Sequence, residues 1–334
     1  MAWSWEFMLQ VFRSLGGKVE NIAAEPVARG VRLVPIKADT PIRLLAPENL
    51  IVSVADVEFV GDRLKVKDDA PVGKAERTFF ENFQESYGWS AGGRLEAEAF
   101  FDALDELPGE VRELLSTTFG VTALFRQDDA RAQRWYLGSR MFERQGNSVL
   151  APVLDLVRHD PTATSYGDRD GLVIGGQFPG EVRVLKAILG PFGAFLKFGV
   201  ASAECQAFSV PTTFKTEEGC EISIEQRTNL NSMLGSIPVP EFRHDGRSLW
   251  FSCMMIGNSR TPKLSRGIFY RVMRDAGQKD PERVFDRILL ENRLKFLKLL
   301  EVLEEHDGGL IRVLRRVARY QLEAMSWCVG SREL

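Results

Sequence analysis

Tyrosine is scarce in this chain, with five residues against 22 phenylalanines in 334. A reaction that leans on a phenolic hydroxyl therefore has few candidates. Histidines number three and cysteines four. Cys205, Cys220, Cys253 and Cys328 form no CxxC pair, and only His244 lies near any of them in sequence, which gives no zinc signature. Widely spaced cysteines suit a reducing compartment, and the cytoplasm is the expected location. Neither GxGxxG nor a Walker-type GxxxxGK loop occurs, so no phosphate cradle is indicated. The few histidines, the lack of HExxH and the absence of paired-ligand spacing weigh against a hydrolase. No apolar run approaches the ~18 residues of a membrane span. The opening residues, Met1 to Gln10, lack a basic region and a small-residue cleavage site and do not read as a signal peptide. A net charge of −3 argues against non-specific nucleic-acid affinity.

What is present centres on one stretch, Val149-Leu150-Ala151-Pro152-Val153-Leu154-Asp155-Leu156-Val157-Arg158-His159-Asp160-Pro161. An apolar run carries Asp155 in mid-course and ends in an Arg-His-Asp cluster at a proline. Acid and imidazole this close to buried surface need hydrogen-bond partners. Taken alone, the stretch reads as a structural polar knot closing a short helical turn.

Around it the chain alternates in character. Residues 1–15 place Trp5, Met8, Leu9 and Phe12 at helical spacing, ended by Gly16-Gly17. Val19 to Val34 reads as strand, turn, strand, and two further β-rich runs flank Pro47-Glu48-Asn49. That pattern suits a small irregular β domain better than a βαβ unit. From 75 to 119 the spacing turns helical: Phe79, Phe80 and Phe83 share a face, and Gly88 and Gly92-Gly93 interrupt. Leu95, Phe100, Phe101 and Leu104 make a second stripe, and Pro108 opens a third helix. These aromatics read as core. A further helix spans 130–144.

After 161, strands fall at Gly171–Ile174 and Val182–Leu185. A glycine-rich run over 188–200 then suggests close backbone approach. Strands around Glu221–Ile224 and Leu249–Met255 precede a helix near 265–273. Asp280-Pro281-Glu282 is a strong helix start, with Phe285, Ile288, Leu289, Phe296, Leu299 and Leu300 facing inward and His306 at the helix end. A last helix from about 310 aligns Arg312, Arg315, Arg316 and Arg319, a stripe that reads first as a solvated face.

The order of these segments resembles the SET-domain proteins of the rubisco large-subunit lysine methyltransferase class, over nearly the whole chain at low similarity. Four places carry the resemblance. Ala28-Arg29-Gly30-Val31 with Pro41 to Val52 looks like the opening GRG turn and the strand after it. Gly138-Ser139-Arg140-Met141-Phe142 looks like the S-R-x-F helix that closes an inserted helical subdomain. Ala151 to Asp160 looks like V-P-x-x-D-x-x-N-H-S. Leu189-Gly190-Pro191 and Lys197-Phe198-Gly199-Val200 look like the paired Y-G and Y-G-F ends.

The resemblance implies an α+β fold: an irregular β-rich SET-like domain over 1–210 with a helical insertion at about 75–145, then a mainly helical substrate-binding-like domain over 211–334. It implies S-adenosyl-L-methionine as cofactor, held by Arg29, Gly30, Arg140, Arg158 and His159, and Phe198 at the channel-tyrosine position. The implied activity is protein-lysine N-methylation, with a protein substrate or partner at a groove between the two domains. The departures are specific. Ala28 replaces a glycine, Arg158 replaces an asparagine, and Leu189 and Phe198 replace tyrosines. Arg offers only donors where Asn offers a donor and an acceptor. Phe198 keeps a ring wall but lacks the hydroxyl that would orient an amine. The alternative is a SET-like protein without the reaction, acting as a protein-binding or structural module.

Overall fold

The computed structural model describes residues 2–27, 30–126, 128, 130–226, 233–234, 237–238 and 240–327. They build an α+β chain of many small sheets with a run of helices at its C-terminal end, the fold class expected from the sequence. Two compact units result, Met1–Phe101 with Asp128–Ala187, and Asp102–Gln127 with Ile188–Leu334.

The first unit opens with helix α1 (Trp5–Ser14), where the Ser4 hydroxyl accepts a hydrogen bond from the Phe7 N–H. Met8, Leu9 and Phe12 enter the core from it. Strand Ile42–Ala46 is the middle of a three-stranded antiparallel sheet, between Lys18–Glu20 and Leu172–Gly176. Gly171 starts the last of these at φ +122°, and a Cβ there would lie 2.2 Å from the Ala46 carbonyl oxygen. Two hairpins, Ile22–Val27 with Gly30–Pro35 and Val57–Val60 with Arg63–Val66, flank the middle strand of this sheet in sequence. Short runs broken by Pro and Gly explain why many small sheets form instead of one large one. Phe12, Leu44, Phe79, Phe83, Phe142 and Leu154 anchor one apolar cluster, and Phe80, Trp89, Tyr136 and Leu150 a second.

The helical middle comprises α2 (Lys74–Ser86), α3 (Arg94–Asp105), α4 (Gly109–Thr118) and α5 (Arg131–Arg140). Two sequence expectations are corrected here. Leu95 is exposed, while Ala97, Phe101 and Leu104 are buried. Within α3 the spacings Ala97–Phe101 and Ala97–Leu104 keep one face, whereas Leu95, six and nine residues before Phe101 and Leu104, falls on the other. The helix expected to reach residue 144 stops at Arg140, because Met141 turns extended and Phe142–Arg144 pairs as a strand with Asn147–Leu150.

In the second unit, α6 (Pro191–Phe198) begins with Pro at its first turn and ends at Gly199 in the left-handed region, φ +69°. That pairing of Pro at the start and Gly past the end is a helix signal inside the run read as glycine-rich backbone. A four-stranded sheet follows, in the order Thr212–Lys215, Glu221–Ile224, Ser248–Phe251, Phe242–His244. Three helices close the unit: α7 (Pro262–Asp275), α8 (Pro281–Glu304) and α9 (Gly309–Ser326). Phe119, just after α4, packs on Phe192 and Phe296 with ring centroids 5.1 and 5.0 Å away. Residues 102–127 therefore group with the second unit, although the sequence places them inside the helical insertion. The basic stripe on α9 is divided: Arg312, Arg316 and Arg319 are exposed, while Arg315 donates to the Leu303 and His306 carbonyls at the end of α8. His306 itself meets Glu110 of α4. Among the described residues no helix is long and apolar enough to cross a membrane.

Candidate functional site

The 149–161 stretch forms the polar centre of the first unit. After strand Asn147–Leu150, Val153 adopts φ +73°, ψ −46°, fully buried. A β-branched residue there is strained by about 1–3 kcal/mol, and such strain concentrates at sites the surrounding structure must hold. The bend leads into a single turn at Leu154–Leu156, in which the Asp155 N–H donates to Ala151 and the Val157 N–H to Leu154. The turn drives Asp155 inward, to 1% exposure.

Three other side chains converge on it. Gln84 of α2 donates through Nε2 to Asp155 Oδ2 at 3.3 Å. The same amide accepts through Oε1 from the Tyr136 hydroxyl at 2.9 Å and from the Trp89 N–H at 3.2 Å. Lys186 is 4% exposed; its ammonium donates to the Asp155 carbonyl at 3.1 Å and lies 4.9 Å from the Phe142 ring centre. Arg140, at the end of α5, reaches the Asp155 carbonyl at 3.5 Å and Glu96 Oε2 at 3.0 Å. Gly93 makes the arrangement possible, since a Cβ there would sit 2.3 Å from the Tyr136 ring. Asp155 Oδ1 and Arg140 Nε are both buried without a hydrogen-bond partner, an acceptor and a donor left over in one polar centre.

Burial raises the Asp155 carboxyl to about 6, against the opposing pull of Arg140, Lys186 and the hydrogen bond from Gln84. Between about pH 4 and 6 the folded protein holds this proton while the unfolded chain releases it, so this group's contribution to stability shrinks as pH rises through that window. Denaturant melts at half-unit pH steps are expected to show that decline in the native sequence and to lose it in Asp155→Asn. An identical slope in both would remove Asp155 as its source.

The residues anticipated from sequence are placed as follows. Arg140 and His159 belong to this centre, with His159 Nδ1 accepting from the Lys186 N–H at 3.2 Å. Arg158 is exposed and ion-paired through Nε with Glu181 at 3.3 Å, so its charge is directed to that carboxylate. Gly30 begins a strand at φ +92°, with open space where a Cβ would be. Arg29 and Ala28 lie outside the described residues. Phe198 is half-buried at the C-terminal end of α6 in the second unit, with the Lys197 ammonium 5.9 Å from its ring centre. Leu189 lines a pocket of that unit with Phe192, Ser209, Cys253 and Gln321. Burial raises the Cys253 thiol to about 11, which keeps it a thiol and not a nucleophile.

Sequence reasoning missed Gln84, Glu96 and Lys186. Gln84 carried a signal, since it stands one turn after Phe80 on the apolar face of α2. Ser90 sits in a Gly88-Trp89-Ser90-Ala91-Gly92 spacing that resembles a nucleophile elbow. It lies in the wide turn between two helices, however, and its hydroxyl donates to the Asp62 carbonyl at 2.9 Å. Strand-turn-helix geometry is what that motif requires. Tyr136 and Tyr166 are both engaged, the latter donating to the Glu143 carbonyl at 2.6 Å. Among the described residues no group of three or more His, Cys, Asp or Glu is arranged to hold a metal ion.

The fold and site thus define an α+β protein with a buried Asp-Lys-Arg-Gln centre beneath a strained turn. No protein-family model matches the sequence, and no curated protein matches it. Among solved structures, the chain is similar to a crystal structure of the SET domain of LSMT bound to lysine and AdoHcy. The two are 11% identical, with 97% of this chain and 90% of that chain covered and a TM-score of 0.40.

Proposed function

We propose that the chain is an S-adenosyl-L-methionine-dependent protein-lysine N-methyltransferase of the SET class. The observation that carries this reading is the pair of unsatisfied groups in the polar centre, Arg140 Nε and Asp155 Oδ1. A donor cation and an acceptor anion match the carboxylate and ammonium of a ligand's amino-acid end. The donor set therefore fits the cofactor, which when bound supplies an electrophilic methyl group. Arg140 would hold the carboxylate, Asp155 the ammonium, and His159 would steady the Lys186 backbone beside them. Phe198 stands where the resemblance puts the channel residue and would offer a target side chain a ring wall. Desolvation by such a wall lowers an amine's pKa and favours the neutral form that attacks.

A second reading rests on the same residue. Phe198 and Leu189 supply no hydroxyl to orient an amine, and the two tyrosines nearest in sequence are committed elsewhere. In that reading the protein binds a partner without turning over. Calorimetric titration with S-adenosylhomocysteine, together with transfer of labelled methyl to protein lysines, separates the two. Binding with transfer supports the methyltransferase. Binding without transfer favours the non-catalytic module, and no binding at millimolar ligand overturns the cofactor site.

A further inference from the structure

Helix α8 buries Val284, Phe285, Ile288, Leu289, Phe296, Leu299 and Leu303 on one side. Its opposite side is not the polar surface that this pattern leads one to expect. Leu290, Leu294 and Leu297 stand 55%, 53% and 49% exposed at spacings of four and three, a continuous apolar strip in the middle of a 24-residue helix. The strip is bounded lengthwise by charges of opposite sign. On the face of the strip Arg283 and Arg287 lie before it and Glu301 and Glu305 after it, all exposed, while the exposed acids Glu282, Asp286 and Glu304 sit further round the helix. The last turn carries no basic residue, so its acids oppose the helix dipole and gain nothing from it.

The spacing is symmetric about Leu294. Arg287 and Glu301 each lie seven residues from it, about 10 Å along the axis, and Arg283 and Glu305 each lie eleven away. Seven and eleven residues return to nearly the same face of a helix. We propose that this face docks on a second copy of the chain, with two α8 helices antiparallel across a two-fold axis at Leu294. Leu290 of each copy then packs near Leu297 of the other, and the arginine end of each meets the glutamate end of the other. An isologous contact requires this self-complementarity. These charges have partners within the chain that a docked copy would compete with: Arg287 pairs with Glu291 at 3.9 Å, stacks 4.4 Å from the Phe214 ring centre and donates to the Lys215 carbonyl, Arg283 meets Glu217 at 2.6 Å, and Glu301 meets Lys298 at 3.0 Å. Arg293 and Lys298 flank the strip and form its polar rim.

Sedimentation velocity on the full chain from 1 to 100 μM tests this. A reversible dimer is expected, and Leu294→Glu should raise its dissociation constant by at least about 50-fold, because two carboxylates would meet at the axis. Leu294 is exposed, and an unchanged circular dichroism spectrum would show that the variant still folds. Arg287→Glu and Glu301→Arg should each weaken self-association about 5-fold or more, while the double swap restores it to within about 3-fold. Mixing the two single variants should yield a heterodimer, since one then carries acids at both ends and the other bases. A native chain that stays monomeric at 100 μM, a dimer indifferent to Leu294→Glu, or a double swap that restores nothing would overturn the proposal.

Discussion

Replacing Gly171 by alanine is expected to destabilise the first unit by about 3–5 kcal/mol, through backbone strain and a clash together. Gly171 holds φ +122°, a region that L-residues rarely adopt. The added Cβ would stand 2.2 Å from the Ala46 carbonyl oxygen and 2.9 Å from the Pro47 Cα, both backbone atoms that no rotamer change can move. Relief requires strand Leu172–Gly176 to part from Ile42–Ala46, its antiparallel neighbour over five residue pairs. Urea titration followed by tryptophan fluorescence reads the loss, since Trp3, Trp5, Trp89 and Trp135 all belong to this unit. A change below about 1 kcal/mol would mean that the strand start tolerates a different path.

The second large effect concerns ligand binding and runs in opposite directions at two residues. Glu96 Oε2 lies 3.0 Å from one terminal nitrogen of the Arg140 guanidinium, beside the Nε that has no partner. If Arg140 holds a ligand carboxylate, Glu96 is its internal competitor. Glu96→Gln keeps the side-chain length and removes the charge, and affinity for S-adenosylhomocysteine should rise about 5–20-fold. Arg140→Gln should lower that affinity at least about 100-fold, as expected when a charge-assisted bidentate partner is lost in a partly buried site. Calorimetry on both variants, with thermal melts to verify folding, checks the pair. Equal affinity in all three proteins would place the ligand away from Arg140.

The sequence made the scaffold legible wherever spacing alone decides the outcome. Phe79, Phe80 and Phe83 face inward as their helical period requires, and Asp280-Pro281 starts α8 with the Asp280 carboxylate accepting from the Arg283 N–H at 3.3 Å. Asp155 was also legible, because an acid inside an apolar run must find partners. The identity of those partners was not. Lys186 comes directly after the strand expected over Val182–Leu185, and its burial depends on a carbonyl 31 positions away and an aromatic ring on a different strand. The pairing of Arg158 was not legible either: the motif gives its position, but the partner, Glu181, stands 23 residues further on. Leu95 misled because it lies six and nine residues before Phe101 and Leu104 in one helix, spacings that put it on the opposite face.

The grouping of residues 102–127 with the second unit bears on how the chain is made. Synthesis runs from the N-terminus, and domains tend to fold as they emerge. The first unit has all its residues once Ala187 has been made, so it can close early around a segment that belongs elsewhere. Val111, Leu115 and Phe119 must then wait for Phe192 and, much later, for Phe296 on α8 before their apolar surface is covered. For well over a hundred residues of translation a looped-out amphipathic helix remains without its partner. That interval is where apolar surface of a nascent chain of this topology is open to misassociation.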